Sequence, residues 1–479
     1  MVNTFFSYND NKITKRLWIY FSIIFLANLL FKITDLGFSS FWYDEIISVQ
    51  SASLDFGHIK HVSEWDKNPP FYYYCLSVWI KLFNDSEFTV RLLSVIFSSL
   101  AGGLLFVIAN KQFNKVTAII SSLLFLSSNT LFYYSHEARA YSLVLLLALL
   151  STYIYLNLKE NPTIKYVVFL GIVNFLLIYT HYIAGLVLVF QAVLMLFYFD
   201  KKQKKYFSFS LLIVLILIAL RFTKKQFLLI VDFNSSNAIF WLKKSNVNYL
   251  KEVLSNFLFN DIISIIFLIF ILVVISLVII KKTNKNHFFV IYSFCIGIVS
   301  IITLYLLGKF TPIFLERYLI FTLPFLFILI AYGLSFFKFS YIPISLIIVL
   351  FVFSVSKIDY KTDKKMDYRN TVSFIKSIKD KDDLIIVKTK DIKPLFCYYF
   401  DKDFFSKQKK DLPQEEHIVF CNSWQDVGFD VNNYKRIIVI DSYQEYNSNE
   451  QEFVLKLTEQ KRNYFSTSFY KGVNISFYK

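Results

Sequence analysis

Apolar runs of near-bilayer length recur along this chain and restrict its fold more than any other feature. They fall at 17–34, 86–108, 116–134, 139–157, 165–181, 183–199, 206–221, 261–280, 288–307, 317–336 and 340–357. A helix rises about 1.5 Å per residue, so about 20 apolar residues cross the hydrocarbon core. Backbone in lipid must satisfy its own hydrogen bonds, and helices do so segment by segment. The expected fold class is therefore a mainly α-helical polytopic membrane protein with about eleven transmembrane helices. Composition agrees, since 56% of the 479 residues are hydrophobic and 18% are charged. That is too little polar surface for a soluble chain of this size. No small-residue cleavage pattern follows the first run, which is expected to stay as an anchor.

The stretch 71–83, FYYYCLSVWIKLF, is apolar but about half a span long. It follows Pro69-Pro70 and contains Lys81, and it reads as an interfacial or half-inserted helix. Charge tests that reading. With 71–83 left out and Lys12, Lys15 and Arg16 placed in the cytoplasm, the cytoplasmic connections hold Lys111 and Lys115, Lys159 and Lys165, Lys201, Lys202, Lys204 and Lys205, Lys281, Lys282 and Lys285, and Lys338. Each is basic, as the positive-inside rule requires. The net charge of +16 is thus assigned to membrane orientation, and no nucleic-acid partner is expected.

The opposite side collects 35–85, YYSHEARAY (133–141), YTHYIAG (179–185), the loop 222–260, GKFTPIFLERY (308–318) and the tail from Lys357. There lie Asp44, Glu45, Asp66, Glu137, Arg139, His181, Glu316 and Arg317. In the tail, DLIIVKT (383–389), HIVFCN (417–422), RIIVIDS (436–442) and NISFYK (474–479) alternate with helix-like 369–379 and 449–462. That alternation predicts a small C-terminal α/β domain, 358–479, after a membrane domain, 1–357. No Gly-rich phosphate loop is evident in it. Cys75, Cys295, Cys397 and Cys421 show no CxxC spacing, so a zinc site is not expected. Cys397 and Cys421 either pair or remain thiols.

Asp44 and Glu45 either start an interfacial helix, where acids favour the N-terminus, or supply a general base at the bilayer edge. Asp66 and Lys67 stand before the rigid Pro69-Pro70 corner, as a solvated loop or as a second carboxylate for the same chemistry. Glu87 and Arg91 sit one helical turn apart, the spacing of an intrahelical ion pair. His136, Glu137 and Arg139 occupy a very short connection between membrane helices, where charges face a cavity or a partner. His181 is a ligand, a proton carrier or a satisfied interface histidine. Arg317 either snorkels to headgroups or grips a phosphate.

Taken in order, the acidic pair after the first helix, an acid before Pro-Pro-aromatic-Tyr-Tyr, SEFTVRLLS, YSHEARAYSLVLLLALLS, THY and ERYLIFTLPFL resemble the GT-C glycosyltransferases of the protein O-mannosyltransferase and aminoarabinose transferase type. The resemblance runs from about residue 15 to 375, including DYRNTVSFI. It implies a polyprenyl-phosphate sugar donor and action on the non-cytoplasmic side, in the inner cell membrane. It implies Asp44 as catalytic acidic residue with Glu45 beside it, and Asp66 as the second acidic position, although this chain has DKNPP where EKPP or HPP is usual. Arg139 and Arg317 match recurring basic positions, and His181 a recurring outer helix end.

Together these readings assign donor-phosphate binding to Arg139, Arg317, Lys224 and Lys225, and substrate contacts to Lys67, Tyr73, Glu137, His181 and Tyr182. Asp44 would take the acceptor's proton, with inversion at the anomeric carbon. Cationic side chains, or a bound divalent metal ion, would stabilise the leaving phosphate. The other partners expected are membrane lipids and an acceptor that is lipid, glycan or protein. A transporter or flippase for a lipid-linked glycan, or a binding protein recruiting envelope partners through its tail, are the competing classes.

Overall fold

The computed structural model describes residues 11–62, 68–222, 244–280, 286–337, 341–357, 366–402, 417–428, 430–441, 450–470 and 473–479. Asp66, Lys67, Lys224 and Lys225 lie outside these residues, as do Lys281, Lys282, Lys285 and Lys338.

Apolar helices occupy every run read as a span. They are Asn11–Lys32, Glu87–Gln112, Lys115–Ser127 with Asn129–Ser135, Tyr141–Glu160, Ile164–Ile178, Leu186–Tyr198, Lys201–Arg221, Asp261–Ile280, His287–Phe294 continuing to Leu307, Leu323–Leu334 and Tyr341–Lys357. Five are long and apolar enough to cross a membrane on length and composition alone, and the bent pair Lys115–Ser127 and Asn129–Ser135 makes a sixth. The stretch after the two prolines is a separate helix, Phe71–Leu82, of 12 residues. At about 1.5 Å per residue it is too short to span.

The chain forms two compact units. The first takes Met1–Thr34, Phe56–Cys75 and Arg91–Ile358, and the second takes Asp35–Asp55, Leu76–Val90 and Asp359–Lys479. This grouping differs from a division at residue 357. Residues 37–41 and 85–87 pair with the tail through hydrogen bonds that sequence adjacency does not foretell.

In the first unit the helix Leu323–Leu334 is buried on all sides, from Phe325 to Ile330 without a break, as expected of a helix at the centre of a bundle. Gly333 lets it approach Asp261–Ile280, since a Cβ there would come within 2.5 Å of Phe270 and Val274. The helices Lys201–Arg221 and Asp261–Ile280 turn Leu212, Leu215, Ile216, Ile262, Ile265, Ile266 and Ile269 outward. Such long apolar faces suit lipid. Inside the bundle a polar network joins four helices. Ser151 donates to Asn174 at 2.5 Å, Asn174 to Gln191 at 3.1 Å, and Gln191 to Ser151 and Tyr292 at 2.8 and 3.2 Å.

In the second unit a five-stranded sheet has the order β2-β1-β3-β5-β4. Its strands are β1 Asp383–Lys388, β2 Ile418–Cys421, β3 Arg436–Asp441, β4 Tyr464–Tyr470 and β5 Val473–Tyr478. The first three are parallel and β5 and β4 are antiparallel. Leu384, Ile386, Val419, Ile437 and Val439 pack with Phe453 and Leu457 of the helix Glu450–Glu459. The near-continuous apolar runs of β1 and β3 are what a parallel strand covered on both faces requires. The small α/β domain expected from the sequence is therefore present, and β4 is an additional strand. All four cysteines are free, with Cys397 and Cys421 buried.

Candidate active site

In the first unit the polar segments around 136–139, 179–182 and 316–318 meet at one end of the bundle. The chain breaks at Ser128, whose hydroxyl accepts from the Leu131 N–H at 3.3 Å and restarts the helix after a bend of 60°. The short helix Asn129–Ser135 then delivers the turn with His136, Glu137 and Arg139. That turn is tight, the Arg139 N–H reaching the Glu137 carbonyl at 2.8 Å. His136 Nε2 is 2.7 Å from the Lys32 carbonyl oxygen, tying the turn to the end of the first helix. Glu137 and Arg139 are both buried.

Pro69 and Pro70 lead into the helix Phe71–Leu82, whose first residues are pinned to three elements. The Phe71 N–H donates to the Tyr179 carbonyl at 3.1 Å, Tyr72 Oη lies 3.3 Å from Ser94 Oγ, and Arg139 Nη1 donates to Tyr73 Oη at 3.3 Å. Tyr179 ends the helix Ile164–Ile178, two residues before His181.

The third contributor is the 3₁₀ turn Glu316–Tyr318. The Tyr318 and His181 rings are 4.7 Å apart at their centroids, and the Arg317 guanidinium lies 5.7 Å from the Tyr318 ring. The charges of Arg139 and Arg317 both act on the buried His181 ring. Glu316 is held from the other side, accepting from Asn256 Nδ2 at 2.7 Å. Its backbone N–H donates to Tyr249 Oη at 3.4 Å. Thr130 closes the ring by donating to the Asn256 carbonyl at 3.0 Å.

Tyr73, Glu137, Arg139, His181 and Arg317 therefore lie on the segments that meet at this end of the bundle. Tyr182 follows His181 and packs on Phe222. Tyr249, Asn256 and Tyr318 were missed. Tyr249 and Asn256 ride on the amphipathic helix Val247–Phe257, inside the segment read as the loop 222–260. Tyr318 had a signal, since it stands in ERY beside Arg317.

The basic connections mark the other end of the bundle. Lys111 pairs with Glu160 at 2.6 Å and Lys115 donates to Tyr20 at 2.7 Å. Lys159 lies over the Phe288 ring, and its carbonyl accepts from Gln203.

Asp44 and Glu45 belong to the second unit. They occupy the first turn of the helix Tyr43–Ala52. Glu45 is buried and reaches back to accept the Trp42 N–H at 3.3 Å, satisfying one free backbone donor at the helix start. Asp44 is half-buried and its carbonyl accepts from Ser48 at 3.2 Å. Glu87 is turned towards Arg369 at 3.3 Å and Tyr399 at 2.9 Å, where its spacing had suggested Arg91. Among the described residues no group of three or more His, Cys, Asp or Glu side chains gathers as a metal site.

Residues 67–222 match the family model described as dolichyl-phosphate-mannose-protein mannosyltransferase. The fold is similar to the crystal structure of ArnT from Cupriavidus metallidurans in the apo state, with TM-score 0.59 and 12% identity, covering 95% of this chain and 97% of that one. The chain has the GT-C fold. The same ArnT bound to undecaprenyl phosphate gives TM-score 0.58 at 11% identity, with coverage of 95% and 97%. An oligosaccharyltransferase from Archaeoglobus fulgidus, in complex with zinc and sulfate, shares the GT-C arrangement with TM-score 0.51 and 10% identity, over 94% of this chain and 73% of that one. No curated protein matches the chain.

Proposed function

We propose that this chain is a membrane glycosyltransferase that takes a sugar from a polyprenyl-phosphate donor and passes it to an extracytoplasmic acceptor. The observation that carries the proposal is the geometry at one end of an apolar bundle, where Arg139 bonds to Tyr73 at 3.3 Å and the Tyr318 ring lies 4.7 Å from that of His181 and 5.7 Å from the Arg317 guanidinium. Two guanidiniums in a site shielded from water suit a phosphate that departs with growing negative charge. The match over 67–222 to a mannosyltransferase model and the GT-C fold shared with ArnT support the reading. So does the binding of undecaprenyl phosphate by that ArnT.

In this proposal Arg139 and Arg317 hold the donor phosphate, joined by Lys224 and Lys225. Tyr73, Glu137, His181 and Tyr182 orient the donor, together with Lys67. Asp44 removes the proton from the acceptor hydroxyl as it attacks the anomeric carbon on the face opposite the phosphate, inverting the configuration. Glu45 sets the helix start beneath it, and Asp66 is the second acidic group. The N-terminus and the lysine-rich end face the cytoplasm, and the tail lies outside, in accord with the positive-inside rule.

A flippase needs polar groups with access from both sides, whereas the buried charged groups here gather at one end of the bundle. The test is binding of undecaprenyl phosphate to the full chain in nanodiscs, with Arg139→Met and Arg317→Met as variants. Saturable binding lost in both variants supports the proposal. Binding equal to that of empty nanodiscs overturns it.

A further inference from the structure

The second unit contains a clamp that joins two of the quoted motifs, SEFTVRLLS and DYRNTVSFI, to the segment after the first helix. Its centre is Glu87, whose side chain is 13% exposed. One carboxylate oxygen accepts both from Tyr399 Oη at 2.9 Å and from Arg369 Nη1 at 3.3 Å. Tyr399 Oη in turn accepts the Phe41 N–H at 2.7 Å. The Arg369 guanidinium also donates to the carbonyls of Gly37 and Phe38. Ser40 donates to the Met366 carbonyl at 2.7 Å, and Phe41 packs edge-on against Tyr398. Tyr398 Oη donates to the Asp85 carbonyl at 2.7 Å, and Lys402 to the Asp85 carboxylate at 2.8 Å.

Every one of these bonds holds the segment 37–41 or its anchor, 85–87. That segment leads directly into the helix Tyr43–Ala52, whose first turn holds Asp44. Burial, and the Glu87 carboxylate beside it, raise the Tyr399 phenol above its ordinary range. Tyr399 therefore stays protonated and keeps donating to Glu87.

We propose that Glu87, Arg369 and Tyr399 are positioning residues that fix the Asp44 helix, so the C-terminal domain serves transfer by aiming the acid and not by binding substrate. The inference rests on the reading of Asp44 as the base. Positioning errors far from the chemistry can cost up to about 100-fold in rate. Hydrogen bonds to the charged Glu87 and Arg369 are stronger than neutral ones, so the clamp resists such errors.

The test uses full-length Glu87→Gln, Tyr399→Phe, Arg369→Lys and Arg369→Met in nanodiscs and in cells. Three quantities are read: amide exchange over 37–52, affinity for undecaprenyl phosphate, and the initial rate of forming the glycoconjugate that Asp44→Asn abolishes. Glu87→Gln and Tyr399→Phe are expected to speed exchange in 37–52 about tenfold or more. They should slow transfer by roughly 10- to 100-fold while donor affinity stays within about twofold. Arg369→Lys, which keeps one charged donor, should retain intermediate rates, and an Arg369→Lys rate equal to that of Arg369→Met overturns the positioning role of its fork. Unchanged exchange, or faster exchange with unchanged transfer, also overturns the clamp. If the wild-type chain binds no undecaprenyl phosphate, the glycosyltransferase reading fails while the exchange result still reports on the clamp.

Discussion

Arg139 donates a hydrogen bond of 3.3 Å to the Tyr73 hydroxyl, across 66 residues of sequence. The contact joins the helix behind the proline pair to the charged turn of SHEARAY. Tyr73 is buried, as is Arg139, so neither hydroxyl nor guanidinium is replaced cheaply by water.

If Arg139 binds the donor phosphate, Arg139→Met should weaken undecaprenyl phosphate binding by roughly 10- to 100-fold, the scale of a charge-assisted hydrogen bond. Tyr73→Phe should weaken it less, by about tenfold or below, because the guanidinium remains but is less well held. Arg139→Lys should not restore it fully, since an ammonium cannot grip a phosphate through two parallel bonds. Titration in nanodiscs reads all three.

Asp44→Asn should lower transfer by about 100-fold or more, the scale of a general base. Its thermal unfolding should match the wild type, because the helix start rests on Glu45 and Trp42. Mass spectrometry of envelope glycolipids and glycoproteins, beside a melting curve in detergent, checks both halves. Undiminished product in that variant would remove Asp44 from the mechanism.

Lys388 and Asp441 form a buried ion pair at 2.5 Å in the sheet of the second unit. Removing one partner strands a charge, so Lys388→Met or Asp441→Asn should destabilise the unit by about 3–5 kcal/mol. The double variant Lys388→Met with Asp441→Leu should recover most of that loss, because an apolar pair carries no desolvation cost. Amide exchange of β1 and β3 in the intact protein measures it.

Asp426 lies on the surface of the same unit, where Lys390, hydrogen-bonded at 2.8 Å, and the backbone N–H groups of Asn422 and Ser423 hold its carboxyl down at about 2. The folded-state value is below the ordinary 3.8. The contribution is therefore complete above that pH and fades as the pH falls through about 2. Exchange over 422–427 should rise across this acid window in the wild type. Asp426→Asn should exchange faster at neutral pH and show no such acid step.

Gln191 links three helices of the first unit through Asn174, Ser151 and Tyr292. Gln191→Leu leaves buried polar groups with fewer partners and should cost about 1–2 kcal/mol. Unfolding in mixed micelles would show it, with undecaprenyl phosphate affinity retained because the network lies away from the charged turn.

The sequence by itself determined the solvent. Each apolar run between 17 and 357 is matched by a helix, because lipid leaves a backbone no other local solution. Four of the tail strands were legible, β1 and β3 most clearly, since a doubly covered parallel strand must be apolar throughout. Tyr464–Tyr470 was not, because its aromatic and hydroxyl residues carry no unbroken apolar signal. The local chemistry of SHEARAY, THY and ERY marked out Glu137, Arg139, His181 and Arg317.

Only the tertiary structure decided which of these meet, and with what. Glu87 has Arg91 one turn away in sequence, yet it bonds to Arg369 across 282 residues. Spacing on a helix fixes what two side chains could reach. Packing fixes which way each one turns, and a carboxylate takes the partner that best replaces the water it has lost. The same physics places Tyr249 and Asn256 around Glu316, and assigns Asp35–Asp55 to the unit of the tail. Long-range contacts of this kind leave no periodicity in a sequence, so only the folded chain records them.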